Sequence, residues 1–261
     1  MNDRASVKVA ISQGVAHVRL CRPDRLNVID HQTARQLADF FGALTSDDSV
    51  RAAALTAEGK AFMAGGDLRL FRDQPHRRVE LIEELVGDFH RAIRAIRALP
   101  VPVIAGVQGA VAGAGFSLAL ACDIVIAGDD AMFVPAYSKI GASPDGGLSW
   151  SLCRALGGRR AKEALMLGEP IDAQQALAMG LVNRVVASGT LQAAVTTLAS
   201  ELAHGPRHSL AAIKALVNLA EGGQFNSHLD FERESYIKMV ATPDFGAGIE
   251  AFFARKPAKF G

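Results

Sequence analysis

Two glycine-rich loops carry the residue types in this chain that can do chemistry through their backbone. The first loop spans residues 61–68 and the second spans residues 108–115. Each follows a predicted strand and precedes a helix or turn, so each can expose backbone N–H groups at a helix N-terminus, where donors are unpaired and the dipole favours negative charge. Donors that converge from both loops would form an oxyanion hole, which stabilises the enolate of a thioester.

Each loop also has a simpler interpretation. A glycine-bearing segment is often only a turn, and Gly113 and Gly115 can serve close packing between elements. A phosphate-binding loop is not predicted, because neither segment ends in the Gly-Lys-Ser/Thr of a Walker loop. The chain also lacks a Gly-x-Gly-x-x-Gly run followed about 20 positions later by an acidic residue.

Few side chains are placed to move protons. Asp145 stands in a Pro-Asp-Gly-Gly segment, where a carboxylate can carry a proton between two carbon atoms, although these residue types also favour a plain turn. His90 lies beside the apolar stripe of a predicted helix, and both a structural histidine and a base remain open. Asp67 is predicted to cap the helix that follows it, and Cys122 is predicted to lie in the core.

Composition and charge exclude several classes of protein. The chain has 261 residues, 49% of them hydrophobic, and a net charge of +1 without the basic stripe of a nucleic-acid-binding protein. Three cysteines without regular spacing argue against a disulfide framework and fit a reducing cytoplasm. Residues 1–8 lack the pattern of a signal peptide and no apolar stretch is uninterrupted, so we expect a cytoplasmic protein with no membrane partner.

A metal site is not predicted. His204 and His208 have the four-residue spacing of a metal pair on a helix. However, Gly205 and Pro206 break that helix, and no third ligand is nearby in the sequence.

The hydrophobic pattern predicts alternating strands and helices. The predicted strands are 7–11, 15–20, 52–56, 103–107 and 124–127, and the predicted helices are 31–44, 77–99 and 116–121. Asp30 can cap the first helix, and the stripe predicted to be buried on the second is Val79, Ile82, Val86, Phe89, Ile93 and Ile96. From about residue 173 the chain is mostly helical, with one short strand at 182–186. This alternation favours a layered α/β fold with an appended helical region.

The order of many short segments resembles the crotonase (enoyl-CoA hydratase/isomerase) superfamily over nearly the whole chain. Any one segment alone would be a weak signal, whereas so many in the same order make a strong one. The matching segments are residues 22–27, 61–68, 102–105, 109–115, 123–127, 140–141, 144–147 and 176–182.

The resemblance implies a repeated β-β-α spiral core, assigned to residues 1–200. It also implies a C-terminal α-helical region, residues 201–261, that drives formation of a homotrimer, often stacked in pairs as a hexamer. The implied substrate is an acyl-CoA thioester, in which CoA is the handle, and no separate cofactor is expected.

Particular positions carry over from the family. The oxyanion donors would be the backbone N–H groups of Gly66 and Ala114, where alanine replaces the commoner glycine. Tyr137 stands where aryl-CoA dehalogenases of the superfamily carry an aromatic residue. The residues expected near a CoA moiety are Arg25, Leu26, Ala64, Asp67 and Leu68, with Phe252 and Arg255 expected to reach the CoA of a neighbouring subunit.

The expected reaction depends on which residue moves the proton. Family hydratases carry two glutamates, and Ser117 and Ala136 stand at those positions, so hydration by paired glutamates is not predicted. The leading hypothesis is double-bond isomerisation with Asp145 as the proton shuttle. The alternatives are an enoyl-CoA hydratase with a reorganised water, an aryl-CoA dehalogenase with Asp145 as nucleophile and His90 as base, and a non-catalytic acyl-CoA-binding protein.

The pocket for the acyl group is expected to be apolar, which suits either a fatty or an aromatic acyl chain. Tyr236 could reach an active site from the helical region, but packing at the surface is the prediction. The predicted wall residues are Leu70, Phe71, Leu81, Phe133, Tyr137, Ile140 and Trp150.

Overall fold

A computed structural model describes residues 5–220 and 225–256. Two predicted regions therefore lie partly outside the described residues: residues 1–8, which lack a signal-peptide pattern, and the helical region at 201–261. The strands are β1 (Val7–Ser12), β2 (Val15–Leu20), β3 (Ala52–Ala57), β4 (Ala61–Met63), β5 (Val103–Val107), β6 (Ala110–Ala112), β7 (Ile124–Gly128), β8 (Met132–Val134), β9 (Ile171–Asp172) and β10 (Arg184–Val186). The helices are α1 (His31–Leu44), α2 (Leu68–Asp73), α3 (Arg78–Ala98), α4 (Ala114–Ala121), α5 (Leu148–Leu167), α6 (Ala173–Ala178), α7 (Leu191–Ala203), α8 (Arg207–Ala220), α9 (Phe225–Val240) and α10 (Pro243–Ala254).

The larger sheet has the order β1-β2-β3-β5-β7-β10. β1 and β2 form an antiparallel hairpin, and every further neighbour pairs in parallel. β3 and β5 are almost completely buried, as expected for parallel strands covered on both faces. α7 covers one face so closely that a Cβ atom added at Gly106 would overlap Val195.

A second sheet of short strands, in the order β4-β6-β8-β9, was not predicted. β4 and β6 lie inside the two glycine-rich segments that were interpreted as loops, and three residues are too few to show a two-residue period. The chain passes from β3 to β4, from β5 to β6 and from β7 to β8, and a helix follows each pair. This is the repeated β-β-α arrangement that the family resemblance implied, and it is confirmed.

The helices follow their sequence signals closely. Asp30 caps α1 by accepting a hydrogen bond from the backbone N–H of Thr33 at 2.9 Å. On α3, the residues of the predicted stripe are buried except Val79, which is 39% exposed. That prediction was wrong because the first turn of α3 is exposed and the buried stripe begins one turn later.

The C-terminal helices begin with α8, which a charged pair joins to the core. Lys214 is nearly buried, and its Nζ lies 2.8 Å from Asp123 Oδ2. The same ammonium donates to the carbonyl oxygens of Ile96 at 2.9 Å and Val101 at 3.2 Å. Its three hydrogens therefore have partners at the junction of α3, β5 and β7. Across the described ranges, no helix is long and apolar enough to cross a bilayer.

Candidate functional site

A cavity of about 510 Å³ lies between the two glycine-rich loops, α3 and the C-terminal helices. Its apolar wall is formed by Phe71, Ile82, Leu85, Val86 and Phe89, among others. Of the predicted wall residues, Phe71, Tyr137 and Ile140 line the cavity, whereas Leu70, Leu81, Phe133 and Trp150 do not.

The two loops touch each other at the cavity. Gly115 packs directly on the backbone of Met63, where any Cβ atom would overlap the carbonyl oxygen. Gly65 and Gly113 both have positive φ angles, 97° and 50°, and a Cβ atom at Gly113 would lie 3.7 Å from the Cα atom of Gly65. The loops therefore meet through their backbones, which only small residues permit.

Gly66 and Ala114 place one backbone amide from each loop at this junction. Both residues line the cavity, and Ala114 is the first residue of α4. Neither backbone N–H has a hydrogen-bond partner within residues 5–220 and 225–256. Two free donors beside one cavity can bind an oxygen that carries developing negative charge.

Asn27 anchors residues 22–27 to the first loop. Its side-chain amide donates to the carbonyl oxygens of Glu58 and Ala61, both at 2.9 Å, and its Oδ1 accepts from the backbone N–H of Arg22 at 2.8 Å. These bonds hold Asn27 at a positive φ of 52°. The carbonyl oxygen of Leu26 accepts a hydrogen bond from the N–H of Ala64 at 3.1 Å, and both residues line the cavity.

A charged pair lies beside this segment. Arg25 Nη2 is 2.6 Å from Asp67 Oδ2, and both residues line the cavity together with Leu68. Asp67 also caps α2 through the backbone N–H of Arg69 at 3.3 Å, as predicted. Phe252 lines the cavity and is 58% exposed.

Arg255 lies away from this cavity. It follows α10 with a left-handed φ of 53° and is exposed.

Asp145 is a buried carboxylate of the cavity that, unlike Asp67, is not paired with Arg25. It is 6% exposed, and its Oδ1 accepts a short hydrogen bond from the hydroxyl of Tyr137. Burial and the charge of Asp145 raise the pKa of Tyr137 well above its usual value, so the phenol remains a donor. Ser117 donates from its Oγ to the backbone carbonyl of Asp145 at 2.9 Å. Gly146 follows at a positive φ of 61°, and a Cβ atom there would lie 2.7 Å from that of Ser117, so only glycine fits.

His90 lies behind this turn and is not part of the cavity wall. It is 1% exposed, and its Nε2 accepts a hydrogen bond from the backbone N–H of Gly146 at 3.1 Å. Burial, and secondarily the positive charge of Arg94, lower the pKa of His90 to about 3. The imidazole is therefore neutral with its proton on Nδ1, and its remaining lone pair is already engaged.

Acid stability should report on His90. An unfolded chain gains a proton at this imidazole below pH 6.5, whereas the folded protein does not until about pH 3. The free energy of unfolding should therefore fall as the pH falls through this window, by about 1.4 kcal/mol per pH unit from this group alone. His90→Gln, which keeps an acceptor for Gly146, should flatten the slope measured by urea unfolding between pH 4 and pH 6.5.

The control for that measurement is His76→Gln, since His76 is exposed. It should leave the slope as in the wild type. An unchanged slope in His90→Gln would contradict a neutral buried imidazole.

Tyr236 was predicted to pack at the surface, and that prediction was wrong. It is 8% exposed and lines the cavity, with its ring in edge contact with Tyr137 at a centroid distance of 6.1 Å. No local pattern in α9 signals this, because only the packing of α9 against α3 brings the ring to the cavity.

Around His204 and His208, the described residues place no third metal ligand. His204 is exposed, and its Nδ1 lies 2.7 Å from the carbonyl oxygen of Ser200. Within the part of the chain that the structure describes, no group of three or more histidine, cysteine or acidic side chains is placed to hold a metal ion.

Comparison with known proteins identifies the family of this site. A family profile described as Enoyl-CoA hydratase/isomerase matches residues 10–261. The chain belongs to this family. It is an enzyme of the crotonase superfamily, as the order of its short segments predicted.

The relatives of this enzyme have several activities. It is 37% identical to the 1,2-epoxyphenylacetyl-CoA isomerase of Escherichia coli (strain K12), with 96% of each chain covered. It is 30% identical to 4-chlorobenzoyl coenzyme A dehalogenase-1 of Arthrobacter sp, over 98% of this chain and 93% of the relative. The crystal structure of an enoyl-CoA hydratase from Mycobacterium avium subsp. paratuberculosis K-10 superposes with a TM-score of 0.90 at 34% identity, covering 98% and 99% of the two chains.

Proposed function

We propose that the enzyme shifts a double bond in an acyl-CoA thioester, with Asp145 as the proton shuttle. The observation that carries this proposal is the position of one buried carboxylate on the same cavity as the free amides of Gly66 and Ala114. The relative that is named an isomerase adds support, since its 37% identity extends over 96% of the chain.

The proposed reaction needs only these groups. The thioester oxygen accepts hydrogen bonds from the amides of Gly66 and Ala114, and Asp145 removes a proton from the substrate. The electron pair left behind forms an enolate whose charge lies on the thioester oxygen. Asp145 then returns the proton at the other end of the allylic system, so mass is unchanged. The hydrogen bond from Tyr137 stabilises the ionised carboxylate that must begin the cycle.

The CoA moiety is proposed to lie along the first loop. Arg25, Leu26, Ala64, Asp67 and Leu68 form one continuous part of the cavity wall and would contact it. Arg25 supplies a positive charge suited to CoA phosphates.

Residues 201–261 are proposed to form the oligomer contacts, and residues 1–200 are proposed to form the core on which they pack. Phe252 and Arg255 would reach the CoA of a neighbouring subunit in a trimer or hexamer. Both are exposed in the single chain, which leaves them free for such a contact. Sedimentation at several protein concentrations would measure the assembly.

Two other chemistries fit the site less well. Hydration by paired glutamates has no carboxylate at Ser117 or Ala136. Dehalogenation would need His90 as a base toward water, yet its Nε2 accepts the N–H of Gly146 and the ring lies off the cavity wall. We instead infer that His90 is a positioning residue, which holds the turn that orients Asp145.

Mass-resolved turnover of 2-enoyl-, 3-enoyl- and aryl-CoA thioesters tests the proposal. Conversion of a 3-enoyl-CoA at unchanged mass is the expected result. A product that has gained water would establish a hydratase instead, loss of a halide would establish a dehalogenase, and tight binding without product would establish a non-catalytic acyl-CoA-binding protein.

Tyr137→Phe should lower kcat about tenfold, because the ionised carboxylate loses a charge-assisted hydrogen bond. Since that bond favours the ionised form, the acidic limb of the kcat/KM profile should move to higher pH in the variant. A fall in kcat with an unmoved acidic limb would show that Tyr137 does not act through the carboxylate.

A further inference from the structure

The ring of Tyr236 is fixed in the wall of the cavity. It makes edge contacts with Tyr137 and Phe245, each at a centroid distance of 6.1 Å and with interplanar angles of 88° and 81°. Burial, and then the charge of Asp145, raise the pKa of Tyr236, so the phenol keeps its proton. A fixed ring directs its hydroxyl to one place, with little conformational entropy left to lose on binding.

The hydroxyl of Tyr236 is a hydrogen-bond donor that the described residues do not engage. No hydrogen bond joins it to the described part of the chain, and it is not among the fully enclosed polar atoms that lack a partner, so it is open to the cavity that its residue lines. By contrast, the hydroxyl of Tyr137 donates to Asp145. Of the cationic wall residues, Arg25 pairs with Asp67, Lys139 pairs with Glu169 while being more than half exposed, and Arg69 is exposed. A ligand that covers this donor without offering an acceptor leaves it unpaired, which is costly, whereas a ligand with an oxygen at that place pairs it.

We propose that Tyr236 is a specificity-determining residue that donates a hydrogen bond to a neutral oxygen of the acyl group. The cavity then selects acyl-CoA thioesters that carry an ether or carbonyl oxygen over hydrocarbon chains of the same shape. This inference rests on the proposed acyl-CoA binding and deepens it. The oxygen is neutral because the carboxylate of Asp145 near the same ring repels an anion.

Selection for an oxygen-bearing acyl group follows from the cost of leaving a polar group unpaired. A site built to hydrogen-bond a substrate oxygen discriminates strongly against an analogue that lacks it, because a buried polar group is then left unpaired. The neighbouring wall residues Ile82, Leu85, Val86 and Phe89 are apolar and offer no competing donor.

The test compares binding of saturated thioesters, so that it does not depend on turnover. Octanoyl-CoA and its analogues with one methylene replaced by an ether oxygen, at successive chain positions, are titrated calorimetrically into the wild type, Tyr236→Phe and Tyr137→Phe. For at least one ether position, the preference for ether over methylene should be about tenfold greater in the wild type than in Tyr236→Phe. Tyr137→Phe is the matched control and should keep the wild-type preference.

The Tm of Tyr236→Phe shows whether the hydroxyl acts in ligand recognition or in the packing of the protein. Because the hydroxyl has no partner, Tyr236→Phe should keep the Tm of the wild type or raise it. Equal preferences in the wild type and Tyr236→Phe at every ether position, or no binding of any probe, would overturn the inference. If the preference changes as expected while no enoyl-CoA is isomerised, recognition by Tyr236 stands and the proposed isomerase function fails.

Discussion

Asp145→Asn should lower kcat for the double-bond shift by about 10³-fold, the range typical for loss of a positioned general acid–base group. Asparagine has nearly the same shape, and its side-chain oxygen can still accept the hydrogen bond from Tyr137. The cavity and the amides of Gly66 and Ala114 are unchanged, so KM should stay within a few-fold. The measurement is kcat and KM on the 3-enoyl-CoA that the wild type converts best.

Proton exchange makes the assignment specific. In D2O, exchange of the proton held on Asp145 with solvent should lead the wild type to place deuterium at the carbon that is reprotonated, and Asp145→Asn should not do so. The variant should bind octanoyl-CoA as tightly as the wild type, which controls for folding and for the acyl pocket. Deuterium incorporation at the wild-type rate in Asp145→Asn would assign the base to another residue.

Much of the fold follows from local signals in the sequence. The helix at 31–44 has the predicted bounds because Asp30 fixes its first turn and an apolar stripe fixes its buried face. The strands of the larger sheet are apolar runs that end in clear breaks. The second sheet could not be predicted in the same way, because β4 and β6 are three residues long and are defined by their neighbours.

The residues of the candidate site also differ in how far local sequence signals predict them. Asp145 could be singled out because its Pro-Asp-Gly-Gly segment is one of those that resemble the family, whereas the residue types alone also favour a plain turn. Tyr137 was predicted in the cavity wall, but its hydrogen bond to Asp145 was not, since the chain folds back through a positive φ of 32° at Ala136 and 68° at Gly141 before the two meet. Tyr236 comes from a distant helix, so only tertiary packing places it at the cavity.

Ala114→Pro should lower kcat by about 10²–10³-fold, equivalent to roughly 3 kcal/mol, because it removes one of the two proposed oxyanion donors. Backbone donors are difficult to test by mutation, but this position allows it. Ala114 is the first residue of α4, where proline is well tolerated and the lost N–H serves no helical hydrogen bond. The preceding residue is Gly113, which has no Cβ atom to clash with the proline ring.

Ala114→Gly is the matched control, because it changes the side chain and keeps the N–H. It should retain kcat within a few-fold, and both variants should keep the wild-type affinity for octanoyl-CoA within about tenfold, since an oxyanion donor acts mainly on the enolate. Combining Ala114→Pro with Asp145→Asn should cost less than the sum of the two losses, because both residues serve the same proton transfer. If Ala114→Pro and Ala114→Gly were equally active, the amide at 114 would have no part in stabilising the enolate, and the second donor would have to be sought elsewhere on the loop at 108–115.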